Sequence, residues 1–365
     1  MTQARTGSIG AFCRMTRLCI LIAATLSFGP TPALGQTASP WPEADRIFRS
    51  DSRWLGSDGG FSIDLGNGRV LWSFGDTLVV KKAGDPRSTA AFLHNTVAIE
   101  TGYDPSTAQM KFYWRRWGSH MEIFPSDGKI WMWPSHGIRI GNRLVVFCSR
   151  IQSNPEKESL GFEGVGSQAF VIGNPDAEPT HWKMKTVMQD ASKVMVGSAV
   201  IQQGDYIYVY CESEGVPLHD IFLARWRAAD FAAARFDGME WWNGGGWSTR
   251  ENRRPVMHEV SSELSVQANP RGGFVEVNSQ GWGASDIVMR TAPKLEGPWS
   301  HAKKIYHPPE GDRPRVLTYA GKAHPELRGA DLIVTYGING SDEVDVNGNS
   351  ALYFPRFARM NWPNR

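Results

Sequence analysis

The sequence predicts an all-β protein built as a five-bladed β-propeller, and three observations lead to this prediction. The first is composition: the chain contains 15 Trp, 38 Gly and 22 Pro, which is typical of many short strands joined by turns. The second is that no segment keeps an apolar period of 3.6 residues, and the best helix candidate, residues 228–235, is short. The third is an internal repeat that covers nearly all of the chain.

The repeated unit is a strand, a tight turn with glycine, a strongly apolar strand and a third strand that often ends in a basic residue. Its turns lie at residues 66–68, 141–142, 204–205, 272–273 and 328–329, which are 75, 63, 68 and 56 residues apart. The second strands read RVLWSFGDT, RLVVFCSRI, YIYVYCES, FVEVNSQ and DLIVTYGIN. Five long, four-stranded blades around a central channel fit this spacing, and a β-sandwich with insertions is the competing fold. Because the fifth unit ends near the C-terminus, we expect residues 47–49 to supply its outer strand and close the ring.

The first 35 residues predict a secretory signal peptide. Three arginines precede a short apolar run at residues 18–28, and small residues suited to a signal peptidase follow it. The alternative is a retained N-terminal anchor. We therefore expect a secreted or periplasmic protein in which residues 36–365 form the propeller, with no membrane contact after the signal peptide is cleaved.

Charge and cysteine content exclude several classes of protein. The formal net charge of +2 becomes −1 when the three arginines of the signal peptide are removed, so no basic footprint for nucleic acid remains. Cys148 and Cys211 lie in apolar strands, where buried unpaired thiols are favoured over a disulfide. The histidines and cysteines lack the spacing of a zinc site. We expect a monomer.

Two aspartates in the first unit are the main candidates for chemistry. Residues 66–68 suit a three-residue hairpin turn, because glycine accepts the positive φ that such a turn requires. Counting outward from Asn67 places Asp58 opposite Asp76, since each is nine residues away. Like charges placed opposite each other destabilise a sheet, so a structural role alone would not select this pair. A bulge would shift the register, and local turn or strand-end hydrogen bonds are the alternative roles.

Neighbouring carboxylic acids titrate apart, so one can hold a proton near neutral pH while the other is ionised. Glycoside hydrolysis needs one carboxylate as nucleophile or base and one acid to protonate the leaving oxygen. We therefore predict a glycoside hydrolase in which Asp76 is the nucleophile or base and Asp58 is the acid, with Glu263 as a reserve acid. The alternatives are a carbohydrate-binding propeller without turnover and a partner-binding propeller of the cell envelope.

Counting in the other units brings further polar and aromatic side chains to the same mouth, where they would contact the hydroxyl groups and ring faces of a polysaccharide or oligosaccharide. The predicted substrate-binding residues are His94, Asn95, His136, Arg150, Glu263, Trp282, Lys322 and His324. The alternative for each residue is a structural role. For His136 and His324 this role would be that of a hydrogen-bonded interior histidine. No nucleophile elbow, P-loop, dinucleotide fingerprint or H-E-x-x-H motif is present in the sequence.

A family resemblance adds to this interpretation. The segment LWSFGDT at residues 71–77, with SDG at 57–59 before it and HNT at 94–96 after it, resembles the signature of secreted five-bladed propellers described as domains of unknown function. Some members are endo-D-arabinanases, so the resemblance implies catalysis by the aspartate pair on a furanose polysaccharide such as D-arabinan. The segment GKAHPEL at 321–327 is similar to an element of the wider arabinanase-like propellers in which a channel histidine, here His324, helps to hold calcium. We expect no required cofactor, and the resemblance leaves room for a structural calcium ion in the channel.

Overall fold

The structure is a computed structural model that describes most of the chain. The described residues are 38–362 except 117–119, 157–160, 193, 214–217, 251, 282 and 342. The predicted signal peptide and Trp282 therefore lie outside the described residues. In the described ranges, no helix has both the length and the apolar character needed to cross a membrane.

The described strands form five sheets arranged as a five-bladed β-propeller, which confirms the predicted fold class. The first strand, β1 (Ala38–Pro40), belongs to the last blade. Blade I contains β2 (Trp54–Gly66), β3 (Arg69–Val79), β4 (Ala91–Leu93), β5 (Thr96–Thr101) and β6 (Gln109–Tyr113). Blade II contains β7 (Trp131–Ile140), β8 (Arg143–Ser153), β9 (Phe162–Ile172) and β10 (Met184–Asp190).

The remaining three blades repeat the pattern, with additions in the third. Blade III contains β11 (Val194–Gln203), β12 (Tyr206–Ser213), β13 (His219–Arg227), β14 (Glu240–Trp242), β15 (Trp247–Ser248) and β16 (Met257–Val260). Blade IV contains β17 (Leu264–Ala268), β18 (Phe274–Ser279), β19 (Ile287–Ala292) and β20 (Lys303–Tyr306). Blade V contains β21 (Val316–Ala323), β22 (Leu332–Gly340), β23 (Arg356–Met360) and β1.

Helices are short and lie between strands. The α-helices are α1 (Pro42–Asp45), α2 (Ala228–Ala232) and α3 (Glu343–Gly348), and the 3₁₀ helices are Arg46–Arg49, Arg87–Thr89, Pro179–His181 and Pro309–Asp312. The helix expected at residues 228–235 is therefore α2. The five glycine-containing turns of the repeat each fall between the first and second strands of a blade, as the sequence predicts.

An N-terminal strand closes the ring, but the predicted segment was wrong. Ala38 pairs with Met360 and Pro40 with Ala358, so β1 is the outer strand of blade V. Residues 47–49 belong instead to the 3₁₀ helix Arg46–Arg49, in which Phe48 is buried and stacks on a ring of blade V. A short apolar segment suits a strand or a buried turn equally well, so its period could not decide between them.

The apolar core is divided among the contacts between neighbouring blades. In the described residues there are five clusters, and each joins two adjacent blades around the ring. Cys148 lies in the cluster between blades I and II, and Cys211 lies in the one between blades II and III. Both thiols are buried and free, so the favoured prediction of small buried apolar side chains is confirmed.

Candidate active site

The β2–β3 hairpin keeps the predicted register for residues 61–64 opposite residues 70–73, whereas at the turn Arg69 lies opposite Gly66 and not opposite Leu65. Ser62 lies opposite Trp72 and Ile63 opposite Leu71, which are the pairs that counting from Asn67 predicts. These side chains alternate between the two faces of the sheet, and the buried Trp72 packs in the core between blades I and V. The turn chemistry of the sequence was therefore sufficient to align this part of the sheet.

Two bulges then follow, and they cancel. Gly60, with a φ of 132°, is an extra residue on β2, and β3 carries an extra residue between Phe74 and Thr77. The register returns with Ser57 opposite Thr77, so Asp58 faces the bulged segment of β3 that contains Asp76. Bulges change the direction of side chains and are common beside active sites. The two aspartates are thus neighbours as predicted, although they do not form a regular ladder pair.

Asp58 lies in a recess where two tyrosines of blade V contact its carboxyl group. The hydroxyl of Tyr319 donates to Oδ1, and the hydroxyl oxygen of Tyr353 lies 3.1 Å from Oδ2. The same hydroxyl oxygen lies 2.9 Å from the backbone carbonyl oxygen of Asp76. A tyrosine hydroxyl has one proton and a carbonyl can only accept. Tyr353 can therefore donate its proton in a hydrogen bond to the carbonyl and accept a hydrogen bond from the carboxyl O–H of a neutral Asp58.

The electrostatics of the recess agree with this assignment. Burial in the protein raises the pKa of Asp58 well above its ordinary value of 3.8, and the charge of Asp76 raises it further. Desolvation and a nearby like charge both disfavour the ionised form of a carboxyl group. Asp58 is therefore suited to hold a proton in the pH range where an ordinary aspartate has lost it.

Asp76 has a different environment on the other side of the pair. Its Oδ1 accepts a hydrogen bond from Trp133 Nε1 at 2.7 Å and one from His94 Nδ1 at 3.0 Å. Two N–H donors directed at one oxygen are the arrangement expected around a carboxylate anion. His94 is itself held by Trp131, since the two rings stack with centroids 4.4 Å apart. The pair thus combines a carboxyl group that favours the neutral form with one that accepts two hydrogen bonds on a single oxygen.

Glu263 approaches the same recess from another blade, and Glu212 is a charge neighbour of Glu263. Glu263, just before β17, forms an ion pair with the ammonium group of Lys322, and a Cβ at Gly59 would lie 3.8 Å from its carboxylate. Glu212, at the end of β12, is buried, and burial raises its pKa well above the ordinary value, with a smaller contribution from Glu263. Carboxyl groups from blade I and from the entry to blade IV therefore lie together, and the buried Glu212 of blade III is their neighbour through Glu263.

Two of the predicted substrate-binding histidines lie in the interior instead. His136 accepts a hydrogen bond from the backbone N–H of Val200 at 2.8 Å and donates to the carbonyl oxygen of Ser62 at 3.1 Å, and burial lowers its pKa to about 4. Both ring nitrogens of His324 are also hydrogen-bonded, one to the hydroxyl of Ser62 and one to that of Thr335. The structure therefore favours the alternative in which both are hydrogen-bonded interior histidines.

Asn95 and Arg150 also have structural partners. The amide of Asn95 is fully buried and bonds to backbone groups of Phe124 and Met132 at 2.9 to 3.0 Å. Arg150 is buried in blade II with its guanidinium 3.6 Å from the carboxylate of Asp127. Of the predicted substrate-binding residues, His94 and Glu263 lie beside the aspartate pair, and Lys322 reaches it through its ion pair with Glu263.

The sequence analysis missed the two tyrosines and Trp131. Tyr319 and Tyr353 are more than 260 positions from Asp58 in the chain, and they meet it only because the ring places blade V beside blade I. The sequence held one local signal, the glycine at position 56. In the structure a Cβ at Gly56 would lie 1.9 Å from the carbonyl oxygen of Tyr353, so only glycine fits there. Asn339 also supports the recess, since its side-chain amide donates to the hydroxyl of Tyr319 at 3.3 Å.

The channel does not suit the calcium ion that the resemblance implies. A cavity of about 340 Å³ in the channel is lined in part by His136, Lys322 and His324. The ring nitrogens of His324 are already bonded, and no group of three or more His, Cys, Asp or Glu side chains in the described ranges is placed to hold a metal. The ammonium of Lys322 donates to the carbonyl of Ala320 at 2.9 Å and lies 4.7 Å from the ring centroid of Phe61. A lysine thus provides the positive charge within the channel.

Calcium is accordingly expected to have no effect on stability. An ion that binds only the folded state stabilises it by about 2.7 kcal/mol when its concentration is 100 times Kd. We expect the Tm of the purified protein to agree within about 1 °C after treatment with EDTA and after addition of calcium at millimolar concentration. A rise of several degrees with calcium, reversed by EDTA, would contradict this interpretation of the channel.

Comparisons with known proteins agree with the fold. The features described above define a five-bladed propeller with a carboxylate-lined mouth. A family model described as "Domain of unknown function (DUF5005)" matches residues 43–362, and the chain belongs to that family. No curated protein matches the chain.

Solved structures share the architecture at low sequence identity. A protein from Bacteroides ovatus ATCC 8483 described as a "putative hydrolase" has a TM-score of 0.70 at 18% identity, over 90% of this chain and 93% of that one. A xylan beta-1,4-xylosidase from Bacillus halodurans C-125 has a TM-score of 0.50 at 7% identity, over 86% of this chain and 55% of that one. An alpha-L-arabinofuranosidase from Podospora anserina has a TM-score of 0.47 at 12% identity, over 86% and 93%. At these identities the likeness concerns the fold.

Proposed function

We propose that this protein is a secreted glycoside hydrolase that acts on a furanose-containing polysaccharide such as D-arabinan. The observation that carries the proposal is the contrast between Asp58 and Asp76 within one recess. Burial and a neighbouring charge raise the pKa of Asp58, whereas Asp76 accepts two N–H hydrogen bonds on one oxygen. An acid and an anion side by side are what glycosidic bond cleavage requires.

Each aspartate has one role in the proposed reaction. Asp58 transfers its proton to the glycosidic oxygen as the bond from that oxygen to the anomeric carbon breaks. Asp76 either attacks the anomeric carbon or takes a proton from the water that attacks it. In the first case water then cleaves the glycosyl ester and Asp58 accepts the proton of that water. Glu263 is the less suitable acid, because its carboxylate is bound to the ammonium of Lys322.

The surroundings of the pair support a sugar substrate. Trp131 and Trp133 lie next to His94 and Asp76, and indole rings provide flat apolar faces on which sugar rings stack. The tyrosine hydroxyls around Asp58 hold its carboxyl group in one orientation beside Asp76. Two solved structures with this fold are described as a "putative hydrolase" and a xylan beta-1,4-xylosidase, which is compatible with the proposed reaction. The predicted signal peptide supports export.

A substrate panel tests the proposal. Wild type and the double variant D58N/D76N are incubated with D-arabinan, L-arabinan, galactofuranan and xylan, and the release of reducing ends and the bound fraction are measured. We expect wild type alone to release reducing ends from at least one furanose polymer. Binding by both proteins with no release by either would support the carbohydrate-binding propeller instead, and an absence of both binding and release would contradict a glycan function for the site.

A further inference from the structure

A basic groove lies on the outer side of blade I, away from the aspartate pair. Its volume is about 620 Å³, and we define it by Arg53, Lys81, Trp114, Arg115 and Arg116, which line it together with two histidines and further aromatic residues. Its lining combines cationic groups with aromatic rings. Such a combination binds anionic groups through the cations and sugar rings through the aromatic faces.

The basic groove opens at the same end of blade I as the candidate active site. Val80 directly follows β3 and donates its backbone N–H to the carbonyl oxygen of Arg53 at 2.8 Å. Tyr113 lies opposite Val97 at that end of β5, so Trp114 and the two arginines after it extend beyond the same edge. Asp76 precedes Val80 by four residues, which corresponds to about 13 Å along a strand at about 3.3 Å per residue. A polymer bound at the aspartate pair could therefore reach the groove.

Most of the positive charge in the basic groove is not neutralised. Arg53 pairs with Asp51 at 2.7 Å, and the exposed His181 lies 4.0 Å from Glu178. In the described part of the chain, no carboxylate lies within 4 Å of a side-chain nitrogen of Lys81, Arg115 or Arg116. Arg115 donates instead to two backbone carbonyl oxygens, at 3.2 and 3.4 Å. These hydrogen bonds fix its guanidinium without cancelling its charge.

The placement of this charge is unusual for a chain with almost no net charge. The formal charge of the whole sequence is +2, and the formal charge without residues 1–35 is −1. A cluster of cations in a near-neutral protein is therefore a local feature and not a result of composition. Trp114 adds to it, since the guanidinium of Arg53 lies 5.2 Å from the centroid of its ring and so helps to hold the indole in place.

We propose that the basic groove binds the anionic groups of an acidic polysaccharide, so that the chain cleaved at the aspartate pair carries carboxylate or phosphate substituents. This inference rests on the proposed function for the identity of the ligand as a glycan. The cations would bind the acidic groups about 13 Å or more from the scissile bond. The groove would thus select substrate by charge while the recess performs the chemistry.

Affinity measurements at low ionic strength test the inference without requiring turnover. The probes are polygalacturonate for carboxylate groups, phosphomannan for phosphate groups, linear arabinan as the neutral polymer and single-stranded DNA as an anionic polymer that is not a glycan. The groove variant is K81S/R116S, and the matched control is K185S/K303S, which removes the same charge from exposed positions on the outer strands of blades II and IV. We expect the groove variant to bind an acidic polymer about ten-fold more weakly than wild type, which corresponds to about 1.4 kcal/mol, and the control to bind it as wild type does.

The outcomes separate the groove from the aspartate pair. Equal affinity of wild type and the groove variant for both acidic polymers would overturn the inference, and so would equal affinity of wild type for single-stranded DNA and for the acidic glycans. The polymer whose binding falls identifies carboxylate or phosphate as the group bound. Charge-dependent binding of an acidic glycan with no hydrolysis of any glycan would support the groove and remove the proposed function. Hydrolysis of neutral polymers, together with unchanged affinity of the groove variant for the acidic polymers, would support the proposed function and remove the groove.

Discussion

Replacing Asp76 with asparagine is expected to lower kcat for glycan hydrolysis by about 10³-fold, within the range by which a positioned acid or base accelerates a reaction. An amide can neither attack the anomeric carbon nor take a proton from water. The oxygen of the new amide can still accept the hydrogen bonds from Trp133 and His94, so the fold and the position of the side chain should be retained. Initial rates of reducing-end release at saturating substrate measure the effect.

The matched control for this variant is Asp64→Asn. Asp64 is an exposed aspartate at the other end of the same hairpin, where its Oδ1 accepts bonds from the backbone of Gly66 and from Tyr103. Because an amide oxygen can accept the same bonds, we expect Asp64→Asn to keep wild-type activity and Tm. Loss of activity in both variants, or in neither, would contradict the role assigned to Asp76.

Replacing Asp58 with asparagine should produce a loss that depends on the leaving group. The proton of Asp58 is needed when the leaving group is a sugar alkoxide, so kcat on the polysaccharide should fall by about 10² to 10⁴-fold. The nitrophenolate of a nitrophenyl furanoside leaves without protonation, and hydrolysis of that substrate should fall far less. Asp76→Asn should slow both substrates, which separates the two roles.

The pH dependence of the same variant provides a second readout. Activity requires Asp58 to be protonated, so wild-type kcat should fall as pH rises through the raised pKa of Asp58. In Asp58→Asn this alkaline fall should be absent, because an amide does not titrate. If the alkaline limb is unchanged in Asp58→Asn, another group such as Glu212 or Glu263 supplies the proton.

The parts of the fold that repeat along the chain were the parts that the sequence predicted well. Five glycine turns followed by apolar strands were enough to infer five blades, because turn residues and two-residue alternation are local properties. The closing strand was misplaced for the opposite reason. Which segment pairs with β23 depends on how the whole ring closes, and Ala38 to Pro40 carry no local signal that distinguishes them from residues 47–49.

The candidate site shows the same limit at the scale of single side chains. Counting from Asn67 brought Asp58 and Asp76 together, yet it could not show the two bulges that offset each other. One bulge depends on Gly60 in β2, and the other depends on the path of β3 beyond Phe74. The tyrosines of blade V were missed because no spacing in the sequence relates them to blade I. His136 and His324 could be assigned to the interior only after their hydrogen-bond partners were known.

The central claim is that one recess holds Asp58, whose carboxyl group favours the neutral form, next to Asp76, whose carboxylate oxygen accepts two N–H hydrogen bonds. A carboxyl ¹³C NMR titration of the full chain tests this claim without a known substrate. Asp58→Asn identifies the signal of Asp58 by its disappearance. The expected result is that Asp58 keeps its proton at pH values where an ordinary aspartate has lost its own, and that its pKa falls in Asp76→Asn because the neighbouring charge is removed. A pKa of Asp58 near the ordinary aspartate value of 3.8, unchanged in Asp76→Asn, would contradict the account.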